Sequence, residues 1–125
     1  MPATDILIYQ EEDGTNPPLM AWLDSLQAEA RARCLARLAL LAEHGHELDR
    51  PHAAYLGGGI YELRVKFYRT NYRMLYFFHG RAAAIISHGL AKEARVPARE
   101  LRLAAGRMAK FKADPEGRTF RPGRE

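Results

Sequence analysis

The chain has 125 residues, 47% hydrophobic and 27% charged, which suits one folded domain able to bury a core without staples. A single cysteine, Cys34, excludes an intrachain disulfide and a multi-cysteine zinc site, and no stretch approaches the ~20 apolar residues of a membrane helix. The net charge of +4 is unevenly spread: residues 1–60 hold four Lys/Arg against nine Asp/Glu (−5), and residues 61–125 hold fifteen against six (+9), which points to a polyanionic partner on one face or to a merely solvated basic surface.

The N-terminus, MPATDILIYQEEDG, carries acids where a secretory signal has a basic and then an apolar segment, so a cytoplasmic protein is expected. Ile6–Tyr9 reads as a first strand, and Asp13-Gly14 and Pro17-Pro18 break regularity after it. Pro18 suits the first turn of a short helix, Leu19–Leu26, with Leu19, Trp22, Leu23 and Leu26 on one stripe. A longer helix runs from about Ala28 to His44, with Cys34, Leu35, Leu38, Leu41 and Ala42 as its apolar face and Gly45 as its stop.

After a polar loop the period changes to two. Ile60–Phe67, Tyr72–Phe78 and Ala82–Leu90 read as strands of a meander, joined by turns at Tyr68–Asn71 and His79-Gly80. Val96-Pro97 introduces a last helix, Ala98–Lys112, with Leu101, Ala105, Met108 and Phe111 inward. The order predicts an α+β domain over residues 1–113, a helical hairpin and a C-terminal helix on an antiparallel sheet, followed by a flexible basic tail at 114–125.

The alternation Tyr61, Leu63, Val65, Phe67 against Glu62, Arg64, Lys66 makes one face of the first meander strand apolar and the other charged. The expected turn pairs Phe67 with Tyr72, sets Lys66 opposite Arg73, and makes Arg64 the diagonal neighbour of Arg73. The second turn pairs Phe78 with Arg81, sets Arg73 opposite Ile86 and Asn71 opposite His88, and so brings His88 onto the cationic face. Like charges facing each other need an anion or an acidic neighbour between them; Glu62 is the internal alternative to an external ligand. His44, His46 and His52 lack a metal-ligand spacing, and no metal or cofactor is expected.

The stretch LGGGIYELRVKFYRTNYRMLYFF, followed by ISHGLAKEARVPARELRLAAGRM, resembles the RelE/ParE superfamily of type II toxins, in particular its phage-derived HigB-like branch. Tyr61-Glu62-Leu63-Arg64, Tyr72-Arg73, Lys92 and Pro97 carry the resemblance, which extends over about residues 14–112. It implies a compact RelE-like toxin that cleaves mRNA on the ribosome without a metal, the RNA 2′-hydroxyl attacking its own phosphate. A helix-turn-helix antitoxin would be its partner, in a possible heterotetramer. On this resemblance Arg64 and Arg73 stabilise the phosphorane-like transition state, Lys92 adds a charge or a proton, and His88 is the general acid or base. Lys66, Arg69, Arg95 and Tyr61 would contact RNA. Two positions depart from the pattern: Glu93 stands for a second lysine and Leu90 for an aromatic residue. These departures keep open an attenuated, non-catalytic homologue, and a ParE-like gyrase-binding toxin shares the same fold.

Overall fold

The computed structural model describes residues 3–91 and 95–121. Strand β1 (Asp5–Ile8) leads to helices α1 (Pro18–Asp24) and α2 (Ala28–His44), then to strands β2 (Ala53–Gly57), β3 (Ile60–Phe67), β4 (Thr70–His79) and β5 (Ala83–Ala91), and to helix α3 (Ala98–Ala113). The domain is α+β. Its five strands lie in the order β1-β5-β4-β3-β2, and the sheet is mixed, because β1 runs parallel to β5 while the other neighbours are antiparallel. The wholly antiparallel sheet expected from the sequence is corrected here. The helical hairpin joins β1 to β2 at opposite edges of the sheet, and the three antiparallel steps from β2 through β3 and β4 to β5 set β5 parallel to β1. No helix among the described residues is long and apolar enough to cross a membrane.

Both faces of the sheet are covered. Leu63, Val65, Met74, Tyr76 and Ile86 pack with Leu19, Leu23, Cys34, Leu38 and Leu41 beneath α1 and α2. Residues of opposite parity, Ile60, Leu75, Phe77, Ile85 and Leu90, pack with Ala104 and Phe111 beneath α3. Pro18 opens α1, and Gly45 stops α2 at φ 55°, as the sequence predicts. Arg31 returns to cap α1: its guanidinium donates to the carbonyls of Leu23 and Leu26, both at 2.9 Å, which satisfies helix-end acceptors. Leu35 and Ala105, expected in the core, face outward instead; the buried helix stripes are Ala30, Cys34, Leu38 and Leu41 on α2, and Ala104 and Phe111 on α3.

The meander differs from its expected register at both turns. Phe67 pairs with Thr70, so the first turn holds two residues, Tyr68 and Arg69, with Tyr68 at φ 56°. Arg64 therefore lies directly opposite Arg73, and Lys66 opposite Asn71. The second turn holds three residues, since His79 pairs with Ala83. A bulge at Ser87 then shifts the ladder: Tyr76 pairs with Ile86 but Leu75 with His88. Arg73 consequently faces Leu90 rather than Ile86, and His88 faces Leu75 rather than Asn71. The bulge turns His88 toward the α3 side and Gly89 toward α1, where a Cβ on Gly89 would overlap the Trp22 indole.

Two segments read as irregular are ordered into the sheet. Ala53–Gly57 forms β2, joined to β3 through Gly58-Gly59 at φ 62° and 87°, the geometry of a two-residue hairpin. Residues 114–121, expected to be loose, return along β1. Tyr9 bridges Thr119, the Phe120 N–H donates to the Ile8 carbonyl at 2.8 Å, and the Gln10 N–H donates to the Arg118 carbonyl at 2.8 Å.

Candidate functional site

β3 and β4 continue past the start of β2. This leaves a groove of about 450 Å³ at the edge of the sheet. Arg37, Pro51, His52, Arg64, Val65, Lys66, Asn71, Tyr72 and Arg73 line it. Four cations on three elements thus surround one cleft: Arg37 from α2, Arg64 and Lys66 from β3, and Arg73 from β4. Two hydrogen bonds, one between backbones and one from a side chain, hold the wall. The Arg64 N–H donates to the His52 carbonyl at 2.8 Å, and Nη1 of Arg37 donates to the Arg64 carbonyl.

The repulsion between Arg64 and Arg73 is met from within. Glu62 is buried one step along β3 on the same face; its Oε1 lies 3.2 Å from Nε of Arg73, and its Oε2 lies 3.7 Å from Nε of Arg64. The Arg73 contact is an ion pair without hydrogen-bond alignment. Arg73 and Glu62 side chains are each 8% exposed, whereas Arg64 is 37% exposed, so Arg73 is the fixed guanidinium and Arg64 the accessible one. Glu62 sets one negative charge against the four cations that line the groove, which leaves a surplus of positive charge and guanidinium forks suited to phosphate.

The sequence of residues 21–109, which includes every residue lining the groove, matches the model of a family described as phage-derived protein Gp49-like (DUF891). The chain belongs to the phage-derived Gp49-like family. Comparison with curated proteins gives no match.

The structure gathers only some of the predicted site residues of this Gp49-like protein. Arg64, Arg73 and Lys66 line the groove. Arg69 is exposed at the tip of the β3–β4 turn, and Arg95 is exposed ahead of α3; neither lines the cleft. Lys92 and Glu93 lie outside the described residues. Tyr61 sits on the opposite face among Tyr55, Tyr76 and Phe78, at ring separations of 4.8, 5.4 and 5.1 Å. Its parity makes it part of an aromatic cluster away from the arginines.

His88 shares the face of the arginines but is engaged elsewhere. Its Nδ1 is 2.7 Å from Oγ of Ser87, and its Nε2 is 2.8 Å from Oε1 of Glu100 on α3. This Ser-His-Glu connectivity resembles that of a nucleophilic triad, but Ser87 is fully buried, with no accessible surface for a substrate. The contacts continue to Arg107, whose Nη1 lies 3.4 Å from Ser87 and whose Nε donates to Oε2 of Glu11 at 2.8 Å. Tyr9, Lys110 and Arg118 converge on the same Glu11. Burial pushes the His88 imidazolium down, against the opposing pull of Glu100. Burial would raise the Glu11 carboxyl, but the hydrogen bond and charge of Arg107 carry it below its ordinary range. This network ties α3 and residues 114–121 to the sheet. Cys34, fully buried in the other layer, is pushed up to about 11 by burial and is inert as a thiolate.

Arg37 and His52 are the groove residues that sequence reasoning did not assign to it. Arg37 lies in the acidic half of the chain, on a helix, and nothing in its local pattern connects it to β3. In the sequence His52 stands out only as one of three histidines without a metal-ligand spacing. Among the described residues no three His, Cys, Asp or Glu side chains gather closely enough to hold a metal ion.

Proposed function

We propose that this chain is the toxin of a type II toxin–antitoxin system, a RelE-like, HigB-like endoribonuclease that cleaves mRNA on the ribosome and so stops translation. It acts in the cytoplasm, where a helix-turn-helix antitoxin neutralises it. The observation that carries this reading is the groove in which Arg64, Arg73, Lys66 and Arg37 converge from three elements. RNA brings its own nucleophile, the 2′-hydroxyl, so the protein's task is to hold a phosphate and stabilise the charge that builds on it. Fixed guanidinium groups perform that task, and Glu62 pre-orients the one least able to move. Lys92 is a further electrostatic contact on this reading, supported by the resemblance alone.

A second reading has one observation in its favour. Arg73 is 8% exposed and already paired with a carboxylate, which suits a protein that binds a partner, such as DNA gyrase or an antitoxin, and cleaves nothing. Induced expression followed by mapping of mRNA ends separates the two. The endonuclease reading expects translation arrest with cleavage inside ribosome-bound codons, and loss of both in a folded Arg64→Ala/Arg73→Ala variant. Arrest that survives the double substitution, or DNA breaks with intact mRNA, defeats it.

A further inference from the structure

An RNA cleaved through its own 2′-hydroxyl needs a group to accept that proton, and the structure removes the obvious candidate. Both ring nitrogens of His88 are engaged, by Ser87 and Glu100, and the residue is buried beneath α3. The groove has an imidazole of its own. His52 lines the cleft, is half-buried, and stands beside Arg64 through the 2.8 Å bond from the Arg64 N–H to its carbonyl. The groups around it are Arg37 from α2, Arg64 and Lys66 from β3, and Asn71, Tyr72 and Arg73 from β4, with Glu62 behind the two arginines and Asp49 and Arg50 on its own segment. His52 is the one residue lining the cleft that carries an imidazole, the side-chain type enzymes use most often as a general base.

We propose that His52 is the general base of the groove, taking the 2′-hydroxyl proton of an RNA whose phosphate lies against Arg64 and Arg73. The proposal rests on the endoribonuclease reading above and names the group that reading leaves open. The neutral imidazole nitrogen accepts the proton. The oxygen it leaves forms the new bond to phosphorus, and the bond from phosphorus to the 5′-oxygen breaks. The departing oxygen takes a proton from water, and the imidazolium later returns its proton to solvent. No electron is gained or lost overall. The product ends are a 2′,3′-cyclic phosphate and a 5′-hydroxyl.

The test is single-turnover cleavage of mRNA on programmed ribosomes by the full chain, from about pH 5 to about pH 9, for the wild type and for His52→Ala, His52→Asn, Arg73→Ala and, as a distant control, His44→Gln. Circular dichroism checks that each variant folds; His52→Asn, close in size and polarity, guards against a fold defect in the alanine variant. The wild-type rate should rise with pH through one ionisation and level off. Both His52 variants should lose that ionisation and about 10²–10⁴-fold in rate, with KM little changed, and added imidazole should restore part of the rate to His52→Ala. If both variants keep the wild-type pH profile and rate while the wild type cleaves, His52 is not the base and the endoribonuclease reading stands. If the wild type cleaves no RNA at any pH, both fall together.

Discussion

Arg64 and Arg73 face each other directly across the β3–β4 ladder, and the carboxylate of Glu62 reaches both of them. Two cations in register are unfavourable in a sheet, and burial makes the Arg73 charge dearer still. Glu62 is therefore the brace of the groove. Removing the carboxylate deprives the buried Arg73 of an ion pair, so Glu62→Gln should destabilise the fold, by at most about 3–5 kcal/mol in urea denaturation. Glu62→Leu/Arg73→Leu should recover most of that loss, because it removes both charges. A Glu62→Gln protein as stable as the wild type would show that the pair is not coupled as its geometry indicates.

The groove's outer charge should be legible in salt. Lys66 is exposed and lines the cleft, so Lys66→Ala should weaken RNA binding and reduce the slope of log K against log salt by roughly 0.7, the share of one phosphate contact on a single strand. Arg37→Ala should reduce it by a similar amount and also lower stability, since its guanidinium is bonded to the Arg64 carbonyl. Filter binding over a salt series reads both, and an unchanged slope for Lys66→Ala places the RNA elsewhere.

His88 makes stability depend on acidity. Its proton affinity in the folded protein is lowered, with burial the leading cause, so the unfolded chain binds the proton more tightly. The stability this gives is present above the unfolded imidazole pKa of roughly 6.5 and is lost as pH falls below it toward the folded value. Urea midpoints at about pH 7.5 and about pH 5.5 should therefore differ more in the wild type than in His88→Gln. Equal differences would mean that His88 does not titrate with unfolding.

Gly89 is the point at which α1 meets the sheet. A side chain there would enter the Trp22 ring, and both the ring and its backing, Tyr72 at 6.1 Å, are fixed by packing. Gly89→Ala should cost about 1–3 kcal/mol, typical of an overfilled core, and should shift Trp22 fluorescence in the folded protein. An unchanged melting temperature and spectrum would show that α1 yields at this contact.

The parts of the fold legible in the sequence were those with a clean local period. The long helix, the three meander strands and the last helix stand in their expected places, because three- and four-residue spacing and strict alternation were each sustained over a whole element. β2 was not legible, because Ala53-Ala54-Tyr55-Leu56-Gly57 has no β-branched residue and depends on β3 for its pairing. The two-residue first turn has no local signal, because Tyr68-Arg69 has none of the residues a tight hairpin normally uses; Tyr68 takes the left-handed backbone itself. The bulge at Ser87 is a tertiary adjustment with no local signal. Within the groove, Arg64, Lys66 and Arg73 followed from strand parity. Arg37 and His52 did not, since only folding brings α2 and the loop before β2 to that edge.

The return of residues 114–121 along β1 has a consequence for how the protein is made. β1 lies early in the chain, yet its partners are β5 on one side and the Thr119 segment on the other. As the chain leaves the ribosome, Ile6 and Ile8 have no sheet to join until most of the domain has followed, and contacts of such sequence separation form slowly. Glu11, which gathers Arg107, Lys110 and Arg118, likewise waits for residues synthesised about a hundred positions later. The sheet that carries the cationic groove is thus completed only after the Thr119 segment has been made.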